Sequence, residues 1–177
     1  LFFVANKFSY MQYRLLTFNF ARRELKTRYR KSILGWAWSL INPAALVATY
    51  SLVFGVIFRA PPPPTVNQNA EFFSLYLFTG LVVWMLFTTC INGSMTWLQG
   101  VSDLRKKIYF PSETSILGGA ISAYVQTLIE VFILLLLMFF LNNIGWTFLL
   151  FPILLLGVAS FGIGIGFFIS ILNQKYR

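Results

Sequence analysis

The chain has 177 residues, of which 58% are hydrophobic and 19% aromatic but only 11% charged, and its mean hydropathy is +0.72. So few charges cannot cover the surface of a water-soluble domain, which makes this an integral membrane protein. Fourteen Lys plus Arg against five Asp plus Glu leave a net charge of +9, a balance that points to anionic lipid or nucleic acid until the cations are placed along the chain.

The opening "LFFVANKFSY" has no basic region ahead of an apolar core and no small-residue cleavage site, so no cleavable signal is expected there. Residues 10–31, "YMQYRLLTFNFARRELKTRYRK", contain neither proline nor glycine and are expected to be helical. Met11, Leu15, Phe18, Ala21, Leu25 and Tyr29 recur at spacings of three and four and define one face, although Arg22 falls on it too. Two readings are open: a basic helix on anionic headgroups, its Arg stems snorkelling, or a docking helix for a partner. The residues favour the first.

Four segments reach membrane length, approximately 33–58, 72–98, 116–141 and 146–172, each at or above the ~20 residues a spanning helix needs. Transmembrane β-strands are about half that length and alternate in polarity, so the expected class is all-α. The first segment carries Pro43 at its centre, which predicts a kink. Trp38, Asn42 and Thr49 share one stripe of this helix, with Trp36, Ser39 and Tyr50 on the next. Polar residues there predict a face turned to other helices or to a path, and ordinary interhelical hydrogen bonding and a sugar-stacking lining both fit. "RAPPPPTVNQNAE", residues 59–71, is a stiff polyproline spacer.

The second segment is polar along Thr88, Asn92 and Gln99, and its Cys90, the chain's one cysteine, is expected to be a packing residue. The third places Ser122, Gln126 and Glu130 on one face beside Thr127. Glu130 is the ionisable residue within the apolar runs, a functional candidate by default. A structural hydrogen-bond hub is favoured over a proton relay, because no His, Lys or Arg within the spans completes a relay. In the fourth, Gly162 and Gly166 have the small-xxx-small spacing that lets helix backbones approach closely.

The cations settle orientation. Eight precede the first segment, Arg105, Lys106 and Lys107 lie between the second and third, Lys175 and Arg177 follow the fourth, and Arg59 alone falls in the alternate set of loops. The positive-inside rule then places both ends and the 101–114 loop in the cytoplasm, and nucleic acid drops out as a partner.

With no histidine, one cysteine and five acids, the usual metal sites and a Ser-His-acid arrangement cannot be assembled. No GxxxxGK[ST] loop is present either, so nucleotide hydrolysis is not expected of this chain. Enzymatic function is therefore disfavoured, and two classes remain. One is a permease driven by another chain; the other is a passive channel or membrane assembly factor, for which a charged or carbonyl-rich filter would be expected in the spans and none is visible. A driven permease needs a structured loop that receives force. "VSDLRKKIYFPSET" supplies one: Ser102 is a candidate N-cap, Asp103 sits in the first turn, cations follow, and Pro111 stops the helix after Phe110. A short helix over 101–110 is predicted.

Two stretches make the chain resemble the ABC-2 type permeases that export polysaccharides. The pattern Y-R-x-S-x-L-G-x-x-W-x-x-x-x-P is matched by Tyr29, Arg30, Ser32, Leu34, Gly35, Trp38 and Pro43, and K-x-x-F-P-x-E by Lys107, Phe110, Pro111 and Glu113. The resemblance implies a multi-pass inner-membrane half-transporter: two copies of the permease paired with two copies of a separate ATPase subunit. ATP and magnesium would sit on that subunit and no cofactor on this chain. The helix at 10–31 would then contact the ATPase through Arg22, Arg23, Lys26, Arg28 and Arg30, reversing the preference above. The 101–110 loop would be the coupling helix, with Asp103, Leu104, Arg105, Lys106, Lys107, Tyr109, Phe110, Pro111 and Glu113 at the contact. The implied substrate is a glycan on a polyprenyl diphosphate lipid. Trp36, Trp38, Asn42, Tyr50, Gln126 and Glu130 are the channel-lining candidates, the aromatics among them passing sugars by stacking. A related permease for lipids or drugs is the alternative. Such permeases carry six spans, so two further spans are expected beyond residue 177.

Overall fold

The computed structural model describes residues 10–29, 38–59, 73–107, 110–140 and 145–176. The fold is all-α, with no strand among the described residues. Helix α1 is Tyr10–Tyr29, α2 Trp38–Tyr50, α3 Phe73–Gln99, α4 Ser102–Lys107, α5 Glu113–Phe140 and α6 Phe151–Lys175. A π-helical stretch, Ser51–Ile57, continues α2, and a 3₁₀ turn, Trp146–Leu150, leads into α6.

Helices α3, α5 and α6 have 27, 28 and 25 residues. At 1.5 Å per residue each exceeds the ~30 Å hydrocarbon core, and all three are apolar enough to cross it. The helix expected first, over 33–58, is described from Trp38 onward and contains a shorter apolar helix, Ala44–Ile57. It runs through Pro43 in α-geometry and departs from it about two turns later. There the Phe58 N–H reaches back five residues to the Val53 carbonyl at 2.9 Å. Arg59 ends the helix in the left-handed region, φ 50°, a costly conformation for a residue with a Cβ, and the four prolines begin two residues later.

The chain divides into two compact units. The first holds α1, α3 from Thr88, α4, α5 as far as Ala123, and α6 from Ala159. Its buried positions are mostly small: Ala21, Cys90, Ser94, Ala120, Ser122, Ala123, Ala159 and Ser170. Small side chains let helix axes approach until backbone meets side chain, the source of van der Waals attraction in lipid, where the hydrophobic effect does not drive helices together. Gly166 of α6 shows this: a Cβ there would lie 2.7 Å from Ser94 Cβ and 3.0 Å from the Cys90 carbonyl oxygen of α3. Gly162, one turn earlier, is also buried. The hydroxyls are satisfied locally, Ser94 donating to the Cys90 carbonyl at 2.6 Å and Ser122 to that of Gly119 at 2.7 Å.

The second unit holds α2 with its π-helical end, α3 before Thr88, α5 from Tyr124, and α6 before Ala159. Here the fully buried residues are aliphatic: Val82, Leu86, Leu134 and Leu155, with Val131 close to them in burial. The Tyr124 hydroxyl donates to the Pro152 carbonyl at 3.0 Å, tying α5 to the start of α6.

Candidate functional site

The loop between α3 and α5 is built by short-range chemistry. The Gly100 N–H donates to the Thr96 carbonyl at 2.9 Å and closes the last turn of α3. Val101 is then buried at 2% exposure, and α4 starts at Ser102 with Asp103 in its first turn, the favourable place for a carboxylate against the helix dipole. Beyond α4, the Thr114 N–H and hydroxyl both donate to the Pro111 carbonyl, at 3.2 and 2.6 Å, and Glu113 opens α5.

Asp103, Leu104, Lys107 and Glu113 are exposed on this loop, and Pro111 is half-buried. The Arg105 and Lys106 side chains and all of Tyr109 lie outside the described residues. Phe110 is half-buried and already occupied within the chain, its ring centroid 5.7 Å from that of Phe20 on α1.

Helix α1 lies against this loop. Its Arg23 guanidinium donates to the Gly100 carbonyl at 3.4 Å, a long bond to the residue that ends α3. Arg22 and Lys26 are exposed; the Arg28 side chain and Arg30 lie outside the described residues. The face anticipated from periodicity divides: Met11, Leu15 and Phe18 are 76%, 63% and 66% exposed, whereas Ala21 is 3%. The reason is that α1 seats on α5 through Thr17, Phe20 and Ala21, a stripe displaced round the helix from the Met11 line. A cavity of about 50 Å³, lined among others by Phe20, Arg23, Glu24, Trp97 and Gly100, remains between them. It has room for water and none for a sugar.

Six residues not singled out from the sequence hold this region together. The Trp97 indole fills a flat slot between Gly93, one turn earlier on α3, and Gly119 of α5. The Trp97 carbonyl accepts a hydrogen bond from Ser115 at 2.8 Å, a link from α5 to α3. Interhelical hydrogen bonds of this kind average about 0.6 kcal/mol in membranes. Gly118 and Phe20 complete the set. The sequence signal available for them was the Gly-Gly pair inside an apolar helix, where each glycine costs about 1 kcal/mol relative to Ala unless packing requires it.

In the second unit, Glu130 is 5% exposed and its Oε1 accepts from Gln126 Nε2 at 3.5 Å, with buried Thr127 beside them. Tyr50 starts a row of partly exposed aromatics on α2 and its extension, with Tyr50–Phe54 and Phe54–Phe58 centroids 6.2 and 5.8 Å apart. Trp36 lies outside the described residues, as do the side chains of Trp38 and Asn42. Ser51, where the π-helix begins, has a buried hydroxyl oxygen with no hydrogen-bond partner, at the wall of an apolar cavity of about 370 Å³. Among the described residues no group of three His, Cys, Asp or Glu comes together to hold a metal.

Membrane-length helices, two of them joined through a short, braced helical loop, define a polytopic membrane protein. Residues 16–177 match the ABC-2 type transporter family, and the chain belongs to it. It is 31% identical over 169 residues to an O-antigen export system permease protein, RfbA, of Myxococcus xanthus, covering 94% of this chain and 61% of that protein. Identity to an RfbA of Klebsiella pneumoniae is 25% over 158 residues, covering 88% of this chain and 58% of that one. The polysialic acid transport protein KpsM of Escherichia coli is 29% identical over 119 residues, 66% of this chain and 42% of that protein. The chain thus spans about three fifths of the length of its RfbA relatives.

Proposed function

We propose that this chain is the membrane part of an ATP-driven exporter that moves a polysaccharide, carried on a polyprenyl diphosphate lipid, across the cytoplasmic membrane. Power comes from a separate ATPase subunit, which holds ATP and magnesium, and the permease acts as a pair of copies with its N-terminus in the cytoplasm. The observation that carries this reading is α4, a short helix between two membrane-length helices, whose flanking residues are gripped by α1 at Gly100 and Phe110. Family membership and the relatives' names support it, and the cation distribution supports the orientation.

In this reading α4 enters the ATPase, presenting the exposed Asp103, Leu104 and Lys107, and Arg105 and Lys106 belong to the same contact by their place in the loop sequence. Phe110 sets the angle of α4 from within the chain, since its ring is already packed on Phe20. The basic residues of α1 flank the same contact. The glycan path runs along Trp36, Trp38, Asn42 and Tyr50 of the first span and near Gln126 and Glu130.

Purification of the tagged permease from intact membranes tests the partner: an ATPase subunit comes with it. Reversing Arg105, Lys106 and Lys107 to Glu leaves the permease folded and ATP hydrolysis running while export falls at least about tenfold, a loss of ~1.4 kcal/mol of coupling or more. Undiminished export in that variant removes α4 from the coupling role.

A further inference from the structure

Adjacent glycines on one helix point to different neighbours, and here Gly118 and Gly119 of α5 receive two different elements. A Cβ on Gly118 would lie 2.6 Å from Phe20 Cβ, 2.8 Å from the Thr17 carbonyl oxygen and 3.0 Å from the Ala21 nitrogen. Two of these atoms are α1 backbone and cannot rotate away. A Cβ on Gly119 would overlap the Trp97 indole of α3. The pair is therefore the point at which α1 and α3 are both referenced to α5.

From this point the connections run to both flanks of α4. Helix α1, seated on Gly118, bonds Gly100 before α4 through Arg23 and packs on Phe110 after it through Phe20. Trp97, seated on Gly119, lies three residues before Gly100, and its carbonyl is held by Ser115 of α5. We propose that Gly118 and Gly119 are positioning residues that gang α1 to the α4 loop, so that the two move as one lever and not as two independent contacts. The lever's role in export rests on the function proposed above; its rigidity does not.

The rigidity is tested first, in the membrane-embedded full chain. Phe20→Cys with Phe110→Cys is bridged by a short, reducible bifunctional thiol reagent that spans the space of the two rings, Cys90 being buried and out of reach. In Gly118→Val, amide exchange across α1 rises about tenfold, whereas Gly164→Ala, a glycine whose added Cβ meets nothing, leaves it unchanged. Failure of the cross-link, or unchanged α1 exchange in Gly118→Val, overturns the proposal whatever the protein transports. With the ATPase present, the cross-linked protein keeps export within about twofold of its reduced form, because locking a body that is already rigid removes no needed motion. Export that stops on cross-linking and returns with reductant overturns the single lever while leaving the exporter reading intact. In Gly118→Ala, export falls with ATP hydrolysis retained; loss of both would reduce the node to a folding requirement and also overturn the proposal.

Discussion

The two units solve helix packing in opposite ways. In the first, Ala21, Ser94, Ala120, Ala159 and the glycines at 118, 119 and 166 bring helices close, and a few large side chains, Trp97, Val101 and Ile116, fill what space remains. In the second, Val82, Leu86, Val131, Leu134 and Leu155 fill the space, and large apolar residues such as Phe54, Trp84, Phe132 and Trp146 remain exposed. Close approach at glycine leaves little room for adjustment, while a core of branched side chains adjusts by small rotamer changes. The first unit suits elements that must keep a fixed mutual angle, such as α1 and the α4 loop. The second suits a region that accommodates its surroundings.

This contrast is broken most directly by enlarging glycines. Gly119→Val forces Trp97 from its slot and costs about 3 kcal/mol or more, read as loss of the folded fraction after detergent extraction and heating. Gly157→Val in the second unit, where an added Cβ meets nothing, changes the same measurement by less than about 0.5 kcal/mol. Truncation probes the other side: Leu134→Ala, at 0% exposure, destabilises by roughly 2–4 kcal/mol, whereas Leu117→Ala, 41% exposed in the first unit, costs a fraction of that. If both truncations cost the same, burial between the helices does not set the stability.

Glu130→Gln keeps size and the bond from Gln126, so thermal stability shifts by about 1 kcal/mol at most and export persists. Export lost in that variant would assign the carboxylate a titrating role. Smallest of all is Ser51→Ala: removing a buried hydroxyl that has no partner is neutral or stabilises by up to about 1 kcal/mol, again read from the melting midpoint.

Much of the architecture was legible because hydropathy and helix capping act locally. The apolar runs at 72–98, 116–141 and 146–172 become α3, α5 and, after a 3₁₀ turn, α6, and Ser102 with Asp103 does open a helix. What was not legible depends on contacts distant in sequence. The Met11–Phe18 line and Ala21 looked like one face, yet only Ala21 meets a neighbour, since Gly118 lies almost a hundred residues further on. Arg22 on the anticipated face was the sign that the stripe was misplaced. The Phe110 ring's contact with Phe20 was hidden too, because nothing nearby in sequence hints at it. The change from α to π after Tyr50 has no signature in periodicity, for the apolar run continues through it unaltered.

Cys90, at 0% exposure, makes this stretch of chain a ready background for site-directed chemistry. Thiol-reactive fluorophores and spin labels have no accessible native target among the described residues, so probes placed on α1 and α4 report those positions alone. Burial of this thiol thus doubles as built-in protection and allows the motions of these helices to be watched without first rebuilding the interior.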